Sequence, residues 1–110
     1  MTSRDRTTLR DILRTLQRIE RFPIHDQQTF AQTEVLQDAV IRCLQVIGEA
    51  TRRLSKDIRA QNPEIPWREM AGMRDVLVHA HDQVDLEEVW ITLKEQLPPL
   101  KAQIEALLEE

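Results

Sequence analysis

The run Met73-Arg74-Asp75-Val76-Leu77-Val78-His79-Ala80-His81 places one arginine, one acid and two histidines among apolar neighbours. Histidine titrates near neutrality, so it can take or give a proton at physiological pH. The guanidinium never deprotonates, and its planar donors can grip two phosphate oxygens at once. These are the groups that metal-free RNA cleavage needs. A base activates the ribose 2′-OH, an acid protonates the leaving 5′-oxygen, and a cation balances the charge that develops on the phosphorane. Arg74 and His79 are the candidate pair, and Asp75 is placed to orient either of them.

Spacing sets a condition on that chemistry. Five residues turn an α-helix by about 500°, which leaves Arg74 and His79 about 140° apart around the axis. On one uninterrupted helix they do not meet on a single phosphate. Either the helix loosens near His79, or two copies of the stretch face each other so that Arg74 of one and His79 of the other line one cleft. His81 admits three readings: an auxiliary proton donor or phosphate ligand, a surface residue without chemical consequence, or part of a metal site with His79 and Asp82. Alternate helix residues point about 200° apart, and no further ligand cluster is present, so the chain is expected to need no metal and no cofactor. The non-chemical reading of the pair itself is an arginine bonded to Asp75 or Glu69 and a histidine buried at a helix end.

The elements that must position this stretch read as helices. Leu9, Ile12, Leu13, Leu16, Ile19 and Phe22 fall at helical spacing from about Ser3 to Phe22, with Thr2 or Ser3 as cap and Pro23 as stop. Arg10, Arg14, Arg18 and Arg21 occupy another face. They form either a solvated face partly paired with Asp11 and Glu20, or a track for RNA phosphates or an acidic partner. Asp26 is expected to cap a short turn that lets Phe30 pack, and His25 sits in a polar context. Thr33 is expected to cap a central helix running to about Gln61, with an apolar stripe broad enough for neighbours on two sides. Within it Cys43 reads as a small buried hydrophobe and Gly48 as a point of close helix approach. Arg52, Arg53, Lys56 and Arg59 complement the dipole at its end.

Pro66 suits the first position of the next helix, whose core stripe is Met70, Met73 and Leu77. Asp85-Leu86-Glu87-Glu88 is a capping box opening a helix through Leu93. Pro98-Pro99 is expected to break that helix before a last amphipathic one carrying Leu100, Ile104, Leu107 and Leu108.

Composition narrows the class. The 110 residues support one domain, residues 1–110, and 41% hydrophobic with 31% charged residues and two glycines suits a helical protein rather than a disordered chain or a β-sandwich. The net charge of −4 is uneven: eleven Lys and Arg face eight Asp and Glu up to residue 62, and four face eleven from there on. An acidic total argues against coating nucleic acid, whose affinity comes from neutralised phosphates, but leaves room for transient RNA contact. A single cysteine, an N-terminus without the apolar core of a signal peptide and the absence of an apolar run of about 20 residues point to a cytoplasmic protein with no membrane contact.

The motif and its flanks resemble a known family. Arg74-Asp75-Val76-Leu77-Val78-His79 is similar to the arginine, polar residue, three variable positions, histidine motif of the HEPN ribonucleases. Within them the chain resembles the HepT-like group, toxin partners of minimal nucleotidyltransferase antitoxins. The likeness runs through Arg4-Asp5, Gln37-Asp38-Ala39-Val40-Ile41-Arg42, Ile47-Gly48-Glu49-Ala50, Pro63-Glu64-Ile65-Pro66-Trp67, Gly72-Met73-Arg74 and Val84-Asp85-Leu86-Glu87-Glu88-Val89-Trp90.

The resemblance implies an all-α, HEPN-like antiparallel bundle of four to five helices, homodimeric through the motif helices. It implies a metal-independent endoribonuclease toxin of a type VII-like toxin–antitoxin pair, with Arg74 and His79 catalytic, Asp75 and His81 supporting, and a minimal nucleotidyltransferase as antitoxin. Many relatives carry a tyrosine two places after the histidine, and in some systems the antitoxin attaches AMP to it. Here that place is His81 and the chain has no Tyr, so AMP transfer to that tyrosine is not expected to be the control, and neutralisation by direct binding is expected unless another side chain accepts the nucleotide. The alternative is a non-catalytic helical subunit that partners a minimal nucleotidyltransferase and presents its substrate.

Overall fold

The computed structural model describes residues 1–75 and 85–110, and over these it is all-α. Helix α1, Ser3–Glu20, starts where the Thr2 hydroxyl accepts from the Asp5 amide at 2.9 Å. It buries Leu9, Ile12, Leu16 and Ile19 on one stripe. The helix closes two residues earlier than the apolar pattern suggests. The amides of Arg21 and Phe22 turn back onto Arg18 and Ile19, because Pro23 disfavours helical backbone at the residue before it.

Helix α2, Gln27–Gln32, is the expected short turn: the Asp26 carboxylate accepts from the Thr29 amide at 2.7 Å, and Phe30 is buried. The Phe30 ring lies 5.7 Å from that of Trp90, so this connector is pinned to the C-terminal part of the chain. Thr33 occupies the cap position of the next helix, but its hydroxyl donates back to the Thr29 carbonyl at 2.6 Å and does not cap.

Helix α3, Glu34–Arg52, is central as expected, packing on α1 and on the short helix α5. It does not reach Gln61. The chain breaks at Arg53-Leu54-Ser55 and restarts as α4, Lys56–Gln61. The cause is Ser55, held extended with its amide and hydroxyl donating to the Asp5 carboxylate at 3.0 and 2.6 Å while the Ile58 amide donates to its Oγ at 3.3 Å. One serine both starts α4 and joins it to α1. Arg59 then folds back, its Nη2 donating to the carbonyls of Leu54 at 2.9 Å and Arg52 at 3.4 Å. These are carbonyls that the end of α3 leaves without helical partners.

Helix α5 spans Trp67–Gly72. Pro66 takes the cap position, one residue before the expected one, and the Trp67 indole donates to the Asn62 carbonyl at 2.9 Å. Helix α6, Leu86–Ile91, is capped by Asp85, whose carboxylate accepts from the Glu88 amide at 3.2 Å. The Pro98-Pro99 pair does not break the helical run. Residues Thr92–Gln96 widen into a π-helical turn, in which the Leu97 amide reaches the Thr92 carbonyl, and α7 runs on as Leu97–Glu109 with both prolines in its first turn. A proline ring clashes with the carbonyl four residues back and lacks the N–H that would bond it. A wide turn just before the pair relieves both constraints.

Contacts at the helix ends fix direction. Asp5 at the start of α1 meets Ser55 just past the end of α3. Arg6 donates to the Leu108 carbonyl at 3.1 Å near the end of α7, and Lys101 early in α7 pairs with Glu20 at 2.8 Å. Helix α1 is therefore antiparallel to both α3 and α7. Leu9, Ile12, Leu44, Ile47, Met70 and Ile104 fill the space between them with essentially no exposure, each contributing about 1.5–3 kcal/mol by its removal from water. Among the described residues no helix is long and apolar enough to cross a membrane.

Candidate active site around Arg74

Arg74 stands just after α5, where the chain tightens: the Met73 amide bonds the Met70 carbonyl at 3.1 Å and the Arg74 amide the Ala71 carbonyl at 3.4 Å. Met70 and Met73 are buried and anchor this turn against the core. On its other side lies Gly48 of α3. A Cβ built on Gly48 would come within 2.5 Å of the Arg74 amide nitrogen, 2.9 Å of the Arg74 Cβ and 3.1 Å of the Ala71 carbonyl oxygen. Any side chain there would push on backbone, so only glycine lets α3 approach so closely. The expected role of Gly48 thus acquires a purpose: it seats Arg74.

One turn further along α3, Arg52 reaches Asp75. The guanidinium and carboxylate stand 3.5 Å apart, with the two side chains 45% and 48% exposed. Arg74 itself is half-buried and, among the described residues, engages in no ion pair and no side-chain hydrogen bond. The non-chemical pairing of Arg74 with Asp75 is therefore not the observed one, since Asp75 turns to α3. A pair as exposed as Arg52–Asp75 is worth about 0–1 kcal/mol; it orients more than it stabilises. Beside Gly48, Glu49 is half-buried and accepts from Gln45, which accepts from Arg42 at 3.0 Å, a polar ladder along α3.

His79, His81 and Asp82 lie outside the described residues, as do Leu77 of the expected core stripe and Val84. The structure therefore brings together Arg74, Asp75, Gly48 and Arg52. Arg52 was legible in sequence only as a dipole partner at the end of the central helix; nothing local marks it as a partner of Asp75. Among the described residues no group of three or more His, Cys, Asp and Glu stands close enough to hold a metal ion.

Arg10, Arg14 and Arg18 are exposed along α1, as is Arg21 just past its end. Arg14 pairs with Asp11 at 3.5 Å and Arg18 lies over the Phe22 ring at 6.0 Å. Glu20 is not their partner, because Lys101 holds it. Among the described residues no hydrogen bond or ion pair joins this face to Arg74 or Asp75. His25 is exposed. Cys43 is buried, and that burial pushes its thiol above its ordinary pKa, as suits a hydrophobic filler rather than a nucleophile. A hollow of about 270 Å³, walled mainly by Pro66, Met70, Met73, Pro99 and Leu100, opens beside the turn that carries Arg74.

The chain is similar to several known proteins. Residues 12–107 match the model of a family described as "Ribonuclease HepT-like". A protein of Thermococcus cleftensis named "Probable ribonuclease HepT" is 44% identical over 100 residues, covering 90% of this chain and 91% of its own. Two proteins of Methanocaldococcus jannaschii, each named "Putative RNase", are 39% identical over 112 residues (100% of this chain, 93% of theirs) and 44% identical over 85 residues (77% and 73%). No solved structure matches the chain.

Proposed function

Because this chain belongs to the HepT-like ribonuclease family, we propose that it is a metal-independent endoribonuclease and the toxin of a toxin–antitoxin pair. The observation that carries the reading is the family match across the whole bundle, with the arginine of the motif seated on a glycine of the central helix and its side chain half-buried beside α3.

The chemistry rests on the groups the chain supplies. The 2′-oxygen attacks the adjacent phosphorus, the bond from phosphorus to the 5′-oxygen breaks, and a 2′,3′-cyclic phosphate and a 5′-hydroxyl leave. His79 moves the proton off the attacking hydroxyl or onto the leaving oxygen. Arg74 neutralises the added charge on the non-bridging oxygens, where a preorganised donor is worth a few kcal/mol in the transition state. The five-residue separation argues that the two residues come from different protomers of a homodimer, each contributing one to a shared cleft. A minimal nucleotidyltransferase is the proposed antitoxin. With His81 at the place of the usual tyrosine and no tyrosine elsewhere, it acts by binding and not by AMP transfer to that tyrosine. RNA and its cutter then meet in the cytoplasm.

The test uses purified protein, a labelled RNA and end analysis of the fragments. The parent is expected to leave cyclic phosphate ends with and without EDTA, and His79→Ala to cut nothing while remaining the same oligomer. If His79→Ala cuts as fast as the parent, the assignment is wrong; if EDTA stops the parent, metal independence is. A protein that cuts no RNA yet binds a minimal nucleotidyltransferase tightly would instead be the non-catalytic subunit.

A further inference from the structure

We propose that Arg52, which lies outside the arginine–histidine motif, is a positioning residue: it holds Asp75 against α3 and so keeps that carboxylate off the Arg74 guanidinium. The inference rests on the proposed ribonuclease activity and deepens it. Arg52 stands four residues after Gly48, one turn of the same helix. Gly48 receives the Arg74 backbone and Arg52 receives the Asp75 side chain at 3.5 Å. One stripe of α3 thus makes two adjacent contacts with two adjacent residues. The first sets where Arg74 stands, and the second sets where its nearest carboxylate goes.

The charge argument is one of competition. Asp75 is the acid closest to Arg74 in sequence, and a carboxylate is the best partner a guanidinium has. Were the two to pair, the positive charge meant for the phosphate would be neutralised, and RNA would have to displace an anion before binding. Arg52 supplies Asp75 with another partner, and Arg74 engages no ion pair among the described residues. Because the Arg52–Asp75 pair is half-exposed, it adds little to stability. Its removal is therefore expected to leave the fold in place and change only the electrostatics at Arg74.

The experiment measures RNA cleavage by the full-length protein as parent, Arg52→Ala, Arg52→Lys, Asp75→Asn, the double variant Arg52→Ala/Asp75→Asn, and Arg74→Ala as reference, with the thermal midpoint of each. Arg52→Ala is expected to lose between about tenfold and a hundredfold in kcat, up to the scale of a catalytic group held about 1 Å out of place, with the midpoint unchanged and most activity restored in Arg52→Lys. The double variant is expected to cut faster than Arg52→Ala alone, because the freed carboxylate no longer carries a charge with which to capture Arg74. A merely structural arginine, or one that touched phosphate directly, would give no such recovery. Arg52→Ala at the parent rate overturns the proposal, and so does a double variant no faster than Arg52→Ala. If Arg74→Ala is inactive while the Arg52 variants behave as the parent, only this inference fails. If Arg74→Ala also cuts as the parent, the ribonuclease site itself is misassigned and the inference falls with it.

Discussion

The C-terminal end of α3 holds two aspartates in opposite ways. Asp5 is buried and takes both the amide and the hydroxyl of Ser55 at 3.0 Å or less, whereas Asp75, its side chain 48% exposed, takes one long contact from Arg52. The first is an anchor: buried, doubly bonded and answerable for the break between α3 and α4. The second is an adjustable contact at the edge of a site. Within three residues of one helix end the protein separates what must not move from what must stay accessible, and burial with bond count tells them apart.

Removing the anchor should have the largest effect. Asp5→Ala leaves the half-buried amide and hydroxyl of Ser55 without their acceptor, and a loss of about 1–3 kcal/mol is expected in chemical denaturation. Cleavage per folded molecule should stay at the parent rate. If Asp5→Ala instead abolished cleavage without loss of stability, the division between anchor and site would be wrong.

Gly48→Ala is expected to come next, because it strikes both regions at once. A methyl group 2.5 Å from the Arg74 amide nitrogen must move backbone, at about 1–3 kcal/mol for overpacking. It should also cost cleavage out of proportion to stability, since what moves is the seat of Arg74, the arginine proposed to act in cleavage. Circular dichroism melts and cleavage rates on the same preparation would check the disproportion.

The acid limb of stability sharpens the same contrast. Burial pushes the Asp5 carboxyl up, but the hydrogen bonds from the Ser55 hydroxyl and amide, with help from Thr2, outweigh it and hold the pKa below its ordinary 3.8. A group depressed in the folded state stabilises fully above its unfolded value and loses that contribution as pH falls through the folded one. The parent should therefore weaken from about pH 3.8 downward, and Asp5→Asn should show a lower plateau with a shallower acid limb. An identical pH profile for the two proteins would mean that Asp5 does not carry this linkage.

The parts of this molecule that sequence revealed are those decided within a turn of helix. The stripe of α1, the caps at Asp26 and Asp85 and the buried Phe30 depend on neighbours three or four residues away. The break at Ser55 was hidden because its cause is an aspartate fifty residues earlier, and nothing near Ser55 distinguishes it from an ordinary helix interior. The continuity through Pro98-Pro99 was hidden for a different reason: two prolines announce a missing N–H, but not that a wider turn can absorb it. At the site, Arg74 and Gly48 were each readable as types, one for its charge and one for its lack of a side chain, but their contact joins two helices and appears only in the fold. Asp75 with Arg52 is the same case, and His79 and His81 lie outside the described residues.

The smallest expected effect concerns the arginine face of α1, which belongs neither to the Asp5 anchor nor to the Asp75 contact. Arg14 is occupied by Asp11 and Arg18 lies over Phe22, so Arg10 and Arg21 are the two members without such a partner among the described residues. If the face tracks RNA phosphates, Arg10→Ala/Arg21→Ala should weaken binding of a single-stranded RNA and reduce the slope of log affinity against log salt by about 1.4, or 0.7 for each lost phosphate contact. The rate constant at saturating RNA should hold, because among the described residues neither Arg10 on α1 nor Arg21 just past its end has a polar link to Arg74. An unchanged slope would assign the face to solvent or to an acidic partner.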